Sequence, residues 1–500
     1  MSIFGKQFTI KDVAPRLAIA SAIILAISAQ QLLLMSTSLP IVLGIIGGCV
    51  LLVAMFISPE LATLFSIFML YANVSVVFIR NGVPGPIAGV TFLLLGIPLF
   101  NYLVNRKEKF VGAVPFFLMA VYFGLALLSA IFTDVSKHSI EWLITFALEG
   151  LVLYFLIINT IRTADVLRKA IWVILIAGSL MGAVSMYQEF TKSYDNDFGG
   201  WAIVKESEIN VGESDILGNQ ASARRVAGPI GSKNFYAQFM VVLLPLAISR
   251  FSAERSTALR VLAIAMCIPI LGGTLLTYSR GAGIAAILMI FVLFALGGLR
   301  LKHLLIIGGV AFVTVMVFVP NYIYRISTVI NTLNLPNGNV AEAGGSVRGR
   351  ATENLATFNV FTAHPVLGVG PGQTRYYIQE ASNEIGYKNL TTDRRSHNLY
   401  LEQLSDGGII GFASYLSIVL VTSIQLWRTA RRFKASQPDV FYTLIGLLAS
   451  IITFQITGLF LHLSYIRYYW FLMALAESGV LIFNASPSRL GARVQQKALS

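Results

Sequence analysis

Runs of about 20 apolar residues recur along nearly the whole chain, and the short connections between them hold most of its lysines and arginines. At 1.5 Å per residue, such a run matches the roughly 30 Å hydrocarbon layer of a bilayer. Inside that layer each peptide N–H and C=O needs a partner within the protein, so a span is either a helix or a strand of a closed barrel. Barrel strands alternate over about ten residues, whereas the runs here are longer and continuous. The expected fold is an all-α polytopic membrane protein. Composition agrees: of 500 residues, 56% are hydrophobic and 12% charged, about half the charged fraction of a soluble protein.

About 14 transmembrane helices are expected, the first over 14–35 and the last over 467–485. The opening segment MSIFGKQFTIKDVAPR lacks a small-residue cleavage pattern after its apolar run, so the first helix is expected to be retained. The net charge of +13 does not point to nucleic acid, because the basic residues sit in short connections, where the positive-inside rule places them. Their alternation puts both termini inside an inner, cytoplasmic membrane, with the loops 191–230 and 320–396 outside. Four regions follow: N-terminal spans over 1–140, central spans over 141–319, a large outer loop over 320–396, and C-terminal spans with a cytoplasmic tail over 397–500. Cys49 and Cys267 both fall in apolar runs and read as packing residues.

Loop 320–396 is too long for a plain connector. Two helical patterns are expected in it, at 349–362 and 372–384, around the turn His364-Pro365-Val366-Leu367-Gly368-Val369-Gly370-Pro371-Gly372. The loop also holds Arg325, Arg348, Arg350, Arg375, Arg394 and Arg395 against a single Lys388. Cations are depleted on the outer face, and arginine is the cation whose planar fork fits phosphate. An anionic ligand is one explanation. Ion pairing with Glu342, Glu353, Glu380, Glu384 and Asp393 is the other.

Arg280 lies in Thr277-Tyr278-Ser279-Arg280-Gly281-Ala282-Gly283, between two spans with almost no loop. It reads either as a buried functional cation or as an interfacial arginine that snorkels. Arg225 precedes Ser232 and Asn234, which either cap the next helix or, with its N-terminus, help hold an anion. His397 opens a span behind Arg394 and Arg395, with Asn398 beside it. The positive helix end and both arginines favour a neutral imidazole, which a general base requires; a capping or interfacial role is the plainer alternative. Glu149, inside a span, reads equally as a pairing partner or a proton carrier. No His, Asp or Glu cluster has metal-ligand spacing, so neither a metal nor another cofactor is expected.

At these residues the chain resembles the O-antigen ligase and O-antigen polymerase superfamily. The matching segments are RRVAGPIGSKNFYAQ at 224–238, TYSRGAG at 277–283, HPVLGVGPG at 364–372 and HNLYLEQLSDGGIIG at 397–411. The resemblance covers roughly 140–470. It implies a C-type membrane glycosyltransferase that takes a glycan from undecaprenyl diphosphate on the periplasmic face, without metal or nucleotide sugar. By motif, the base falls on His397 and the diphosphate on Arg280 and Arg348. Arg225 is expected to bind diphosphate as well, with Arg394, Arg395 and Asn398 in support. The acceptor is lipid A-core for a ligase, or a growing glycan for a polysaccharide polymerase. An anion or bicarbonate transporter is the alternative of another class. It would place polar residues and broken helices at mid-membrane, whereas here they crowd one face.

Overall fold

The computed structural model describes residues 50–51, 53–82, 91–133, 137–208, 222–318, 345–383, 385 and 394–485. Most of them are helical, and one two-stranded antiparallel sheet joins them. Among the described residues, eight helices are long and apolar enough to cross a membrane, or nine if one bent pair counts as a single span. Three more apolar helices are shorter: Leu93–Asn105, Arg280–Ala295 and Leu301–Val317. The expected span 14–35 lies outside the described residues, as does most of 39–57.

The bent pair replaces a straight span expected at 61–79. Helix α1 (Pro59–Tyr71) and helix α2 (Val74–Arg80) meet at 59°. Asn73 makes the break: its backbone is left-handed (φ 56°), and its buried amide donates to the Pro229 carbonyl at 3.1 Å. Asn enters this left-handed conformation more readily than most residues, and the bond to the distant Pro229 holds the break in place.

Helix α3 (Val114–Phe132) and helix α4 (Lys137–Thr160) follow. A π-helical stretch, Phe146–Val152, interrupts α4 and carries Glu149. Glu149 faces Arg467 at 3.8 Å, so pairing is the role the geometry gives it. Helix α5 (Ala164–Thr191) is capped by the Thr163 hydroxyl, which accepts from the Val166 N–H at 3.2 Å. It crosses helix α8 (Thr257–Leu275) very closely. A Cβ on Gly182 would sit 2.0 Å from the Pro269 carbonyl oxygen, the sort of backbone approach that small residues permit between membrane helices.

Helices α6 (Lys233–Val241) and α7 (Leu244–Ala253) form one interrupted crossing, with Pro245 just after the break. Helices α9 (Arg280–Ala295) and α10 (Leu301–Phe318) come next. The core lies where α4, α5, α6 and α7 meet helices α14 (Pro438–Gly458) and α15 (Ile466–Asn484), around Tyr154, Tyr236, Phe239, Tyr469 and Trp470, all fully buried. Large apolar side chains such as Phe132, Phe190 and Phe291 instead face outward, as lipid contact requires.

Strands β1 (Ile203–Glu208) and β2 (Ser222–Gly228) pair antiparallel, with a register shift between Ile203 and Val204 and Lys205 opposite Arg225. The hairpin is pinned to the end of α8 by Val226 N–H donating to the Leu276 carbonyl at 3.2 Å. Helices α11 (Gly345–Ala363) and α12 (Thr374–Asn383) occupy the places where the loop was expected to be helical.

Helix α13 (Leu399–Phe433) is 35 residues long, too long for one crossing, and it breaks at Gly408 (φ 60°, ψ −168°). The turn 364–372 is stitched into that break by main-chain bonds. Val369 N–H donates to Ser405 O, Gly370 N–H to Asp406 O, and Ile409 N–H to Pro365 O, at 2.9–3.0 Å. The Asp406 carboxylate then accepts from the N–H groups of Gly372 and Thr374.

The starts of α5 and α14 and the end of α7 gather round one polar cavity with Arg168, Arg250 and Glu254. Glu254 there receives Arg168 at 2.9 Å and Arg250 at 3.3 Å. The sheet, α11, α12 and the start of α13 lie at the other ends of these helices.

Candidate functional site

The site is built on the first turn of α13. The Asn398 side chain caps that turn, accepting from Tyr400 N–H at 2.9 Å and Leu401 N–H at 3.2 Å. The cap engages the amide oxygen and fixes the backbone from which His397 projects. Arg395 is likewise committed. It donates to buried Glu402 at 2.8 and 2.6 Å and to Ser464 at 3.0 Å, and the second Glu402 oxygen accepts from Leu463 N–H. The pair therefore binds the connector 459–465 to the start of α13, and with it His462.

His397 meets a carboxylate that sequence alone did not single out. Its Nδ1 lies 2.6 Å from Glu353 Oε2, on α11. The other Glu353 oxygen accepts from Arg394 at 2.9 Å. The Glu353 side chain is 1% exposed. Burial pushes its carboxyl upward, but the hydrogen bond and charge of His397, together with Arg394, outweigh this and hold it below its ordinary value. It is therefore ionised at neutral pH. The His462 ring packs edge-on at 5.9 Å from the His397 ring. Burial, then the charges of Arg395 and His397, hold His462 well below its ordinary value, so it stays neutral.

One helical turn before Glu353 on the same helix is Arg350, at the i, i+3 spacing that shares a face. Burial first, and then the charge of Arg280, pull the Arg350 guanidinium below its ordinary value, while Glu353 opposes them. Arginine stays protonated even so. Arg350 lines a narrow cavity with Asn234 and Gln238 of α6, Ser279, Gly281 and Ala282 around the start of α9, and Thr457, Phe460 and Leu461. Gly281 is required there, since a Cβ would sit 2.8 Å from that of Phe460. Arg280 is the first residue of α9. The Arg350 guanidinium and residues from the N-terminal ends of α6 and α9 thus meet at one small space, with Arg280 near enough for its charge to act on Arg350; helix N-termini add positive potential there.

Arg225 is 7% exposed and stands at the margin of this space. Its Nε donates to the Thr277 carbonyl at 2.6 Å and its Nη2 to Asn234 Oδ1 at 3.1 Å, so it ties β2 to the approach to α9 and to the start of α6. The backbone of Arg348 lies in α11; its side chain is outside the described residues. The structure therefore brings His397, Arg394 and Glu353 together, and sets Arg280 beside Arg350. Sequence reasoning named Arg350 only among the arginines of loop 320–396 and Glu353 only among their possible ion-pair partners, and assigned neither to the site; His462 was not put there either. The only local signal was the spacing of Arg350 and Glu353, and their partners lie on other helices.

Comparison with known families adds one finding. The family model described as O-antigen ligase matches residues 265–416. That interval runs from α8 through the break in α13, so it takes in Arg280, Arg350, Glu353 and His397. It is narrower than the resemblance read from the sequence, and the segment 224–238 lies outside it. No curated protein matches the chain.

Proposed function

We propose that this protein is a membrane glycan ligase that moves a glycan from undecaprenyl diphosphate to an acceptor hydroxyl on the periplasmic face. The supporting family match covers the segment that carries both halves of the site. The observation that supports the chemistry is a cavity lined by Arg350, whose guanidinium feels the charge of Arg280, with the proposed base reached one helical turn further along α11 by way of Glu353.

In this reading the lipid-linked donor slides sideways between helices until its diphosphate reaches Arg280 and Arg350. Arg348, on the same helix, is a further candidate for that anion. Arg225 holds the start of α6 and the turn before α9 in place. His397 takes the proton of the acceptor hydroxyl, whose oxygen attacks the anomeric carbon. The bond from that carbon to the diphosphate oxygen breaks, and a single displacement inverts the anomeric configuration. Charge developing on the departing diphosphate falls between two guanidiniums and two helix N-termini that are already in place, so little reorganisation is needed. Arg394 acts through Glu353, and Arg395 and Asn398 act by fixing the start of α13.

A polysaccharide polymerase would use the same groups with a second lipid-linked glycan as acceptor. The test is reconstitution of purified protein with lipid-diphosphate-linked glycan and each acceptor in turn. Product on lipid A-core supports the ligase, and longer chains still on carrier lipid support the polymerase. Anion uptake without transfer would overturn both.

A further inference from the structure

A carboxylate removed from water needs full compensation to stay ionised. Glu353 has it, and the way it is divided is informative. One oxygen goes to the imidazole of His397 and the other to the guanidinium of Arg394. The bond to the imidazole is made at Nδ1, so the ring's other nitrogen is the one that can accept a proton from a substrate. A ring nitrogen's hydrogen bond decides which tautomer the imidazole adopts. Glu353 also shares α11 with Arg350, so the same helix that brings a guanidinium to the cavity brings the carboxylate to the imidazole.

We propose that Glu353 is a positioning residue for His397: it holds Nδ1–H, fixes the tautomer, and leaves Nε2 to take the acceptor's proton. The proposal rests on the reading of His397 as the base. The charged or titratable groups facing the imidazole are Glu353 and Arg350 on α11, Arg394, Arg395 and Glu402 about the start of α13, and His462 on the connector. Arg395 and Glu402 pair with each other and His462 is neutral, so Glu353 and Arg394 dominate the balance.

Their effects oppose each other. The carboxylate favours imidazolium, so its removal lowers the pH at which the ring protonates. Arg394 disfavours imidazolium, both directly and by neutralising Glu353, so its removal raises that pH. A strut that merely holds two helices together predicts no such opposition.

The test uses full-length protein in lipid nanodiscs, with Glu353→Gln, Glu353→Asp and Arg394→Gln beside the wild type, each checked for an intact melting transition. Acylation of His397 by diethyl pyrocarbonate against pH, read by peptide mass spectrometry, titrates the ring without turnover. The midpoint is expected to fall by about one pH unit in Glu353→Gln and to rise in Arg394→Gln. With lipid-diphosphate glycan and acceptor, Glu353→Gln should lose about 10²-fold or more in kcat with donor KM little changed, and Glu353→Asp should recover part of it. Midpoints that stay fixed or move together overturn the proposal even where transfer is intact, as does a rise in KM alone. Midpoints that move apart in a wild type and variants that transfer no glycan leave the Glu353–His397 coupling supported and remove the transferase reading instead.

Discussion

At the scale of single residues, the proposed roles separate groups that would meet substrate from groups that hold them. His397→Ala should keep its fold and its donor binding while transfer falls about 10²–10⁴-fold, as measured with purified protein so that misfolding is not mistaken for lost chemistry. Activity of the wild type should decline on acidification as the imidazole takes up a proton. Arg350→Lys keeps the charge but loses the planar fork. Because a charge-assisted hydrogen bond contributes about 1.5–3 kcal/mol, donor binding should weaken by roughly one to two orders of magnitude, and isothermal titration with carrier-lipid diphosphate would measure it. Unchanged affinity would take Arg350 out of the diphosphate site. His397, Arg280 and Arg394 could be singled out in the sequence because each sits at a helix start or beside one. Glu353 could not be, because its partner is 44 residues away and nothing periodic connects them. Arg348 was named from the family resemblance, and Arg350, two residues on, is the one whose side chain lines the cavity.

At the scale of elements, α11 and α13 carry the arrangement. The two loop helices were legible because the 364–372 turn separates them, and α12 also because its apolar and polar residues recur at helical spacing. The break in α13 was less so. Gly407, Gly408 and Gly411 flag a weak point, but only packing shows which glycine is used. Gly408 has φ 60° and ψ −168°, a region that costs other residues roughly 1–3 kcal/mol. A Cβ there would also lie 2.2 Å from the Val366 carbonyl oxygen. Gly408→Ala should therefore lower the melting temperature and unseat the 364–372 turn, whereas Gly411→Ala, with nothing near its Cβ position, should be mild. Scanning fluorimetry of the two variants makes the comparison, and equal melting curves would show that the break is not tightly held.

At the scale of the whole molecule, charge and polarity are sorted along the membrane normal. Arg168, Arg250 and Arg255 gather where α5 and α14 begin and α7 ends, and the cavity lined by Arg350 lies at the opposite ends of the bundle. Helix α14, 21 residues long, spans about 30 Å between them. The membrane class and most crossings could be read from apolar run length alone. The interruptions at Asn73, between α6 and α7, and at Gly408 could not, because hydropathy averages over them. If the basic end is cytoplasmic, a cysteine at exposed Gln379 should react with an impermeant maleimide added to cells, and one at exposed Ser436 only after permeabilisation. The reverse pattern would invert the topology and remove the periplasmic site.

The stitching between the 364–372 turn and the break in α13 is made almost wholly by main-chain N–H and C=O groups. Such a seam does not read side chains, apart from the glycines that let it close and Asp406, whose carboxylate accepts from Gly372 and Thr374. Gly368 is one of these glycines, since a Cβ there would sit 2.5 Å from the Asp406 carbonyl. Apart from Arg350, Glu353 and Arg394, which belong to the candidate site, the loop 320–396 is in that sense a cassette: the rest of its sequence can drift, or be exchanged by recombination, while the helical bundle and His397 stay in register. A chimera that keeps Arg348, Arg350, Glu353, Arg394 and Arg395 as well as Gly368, Gly370, Asp406 and Gly408, but takes the rest of the loop from a relative with another acceptor, should fold and change its acceptor, without any adjustment within the bilayer.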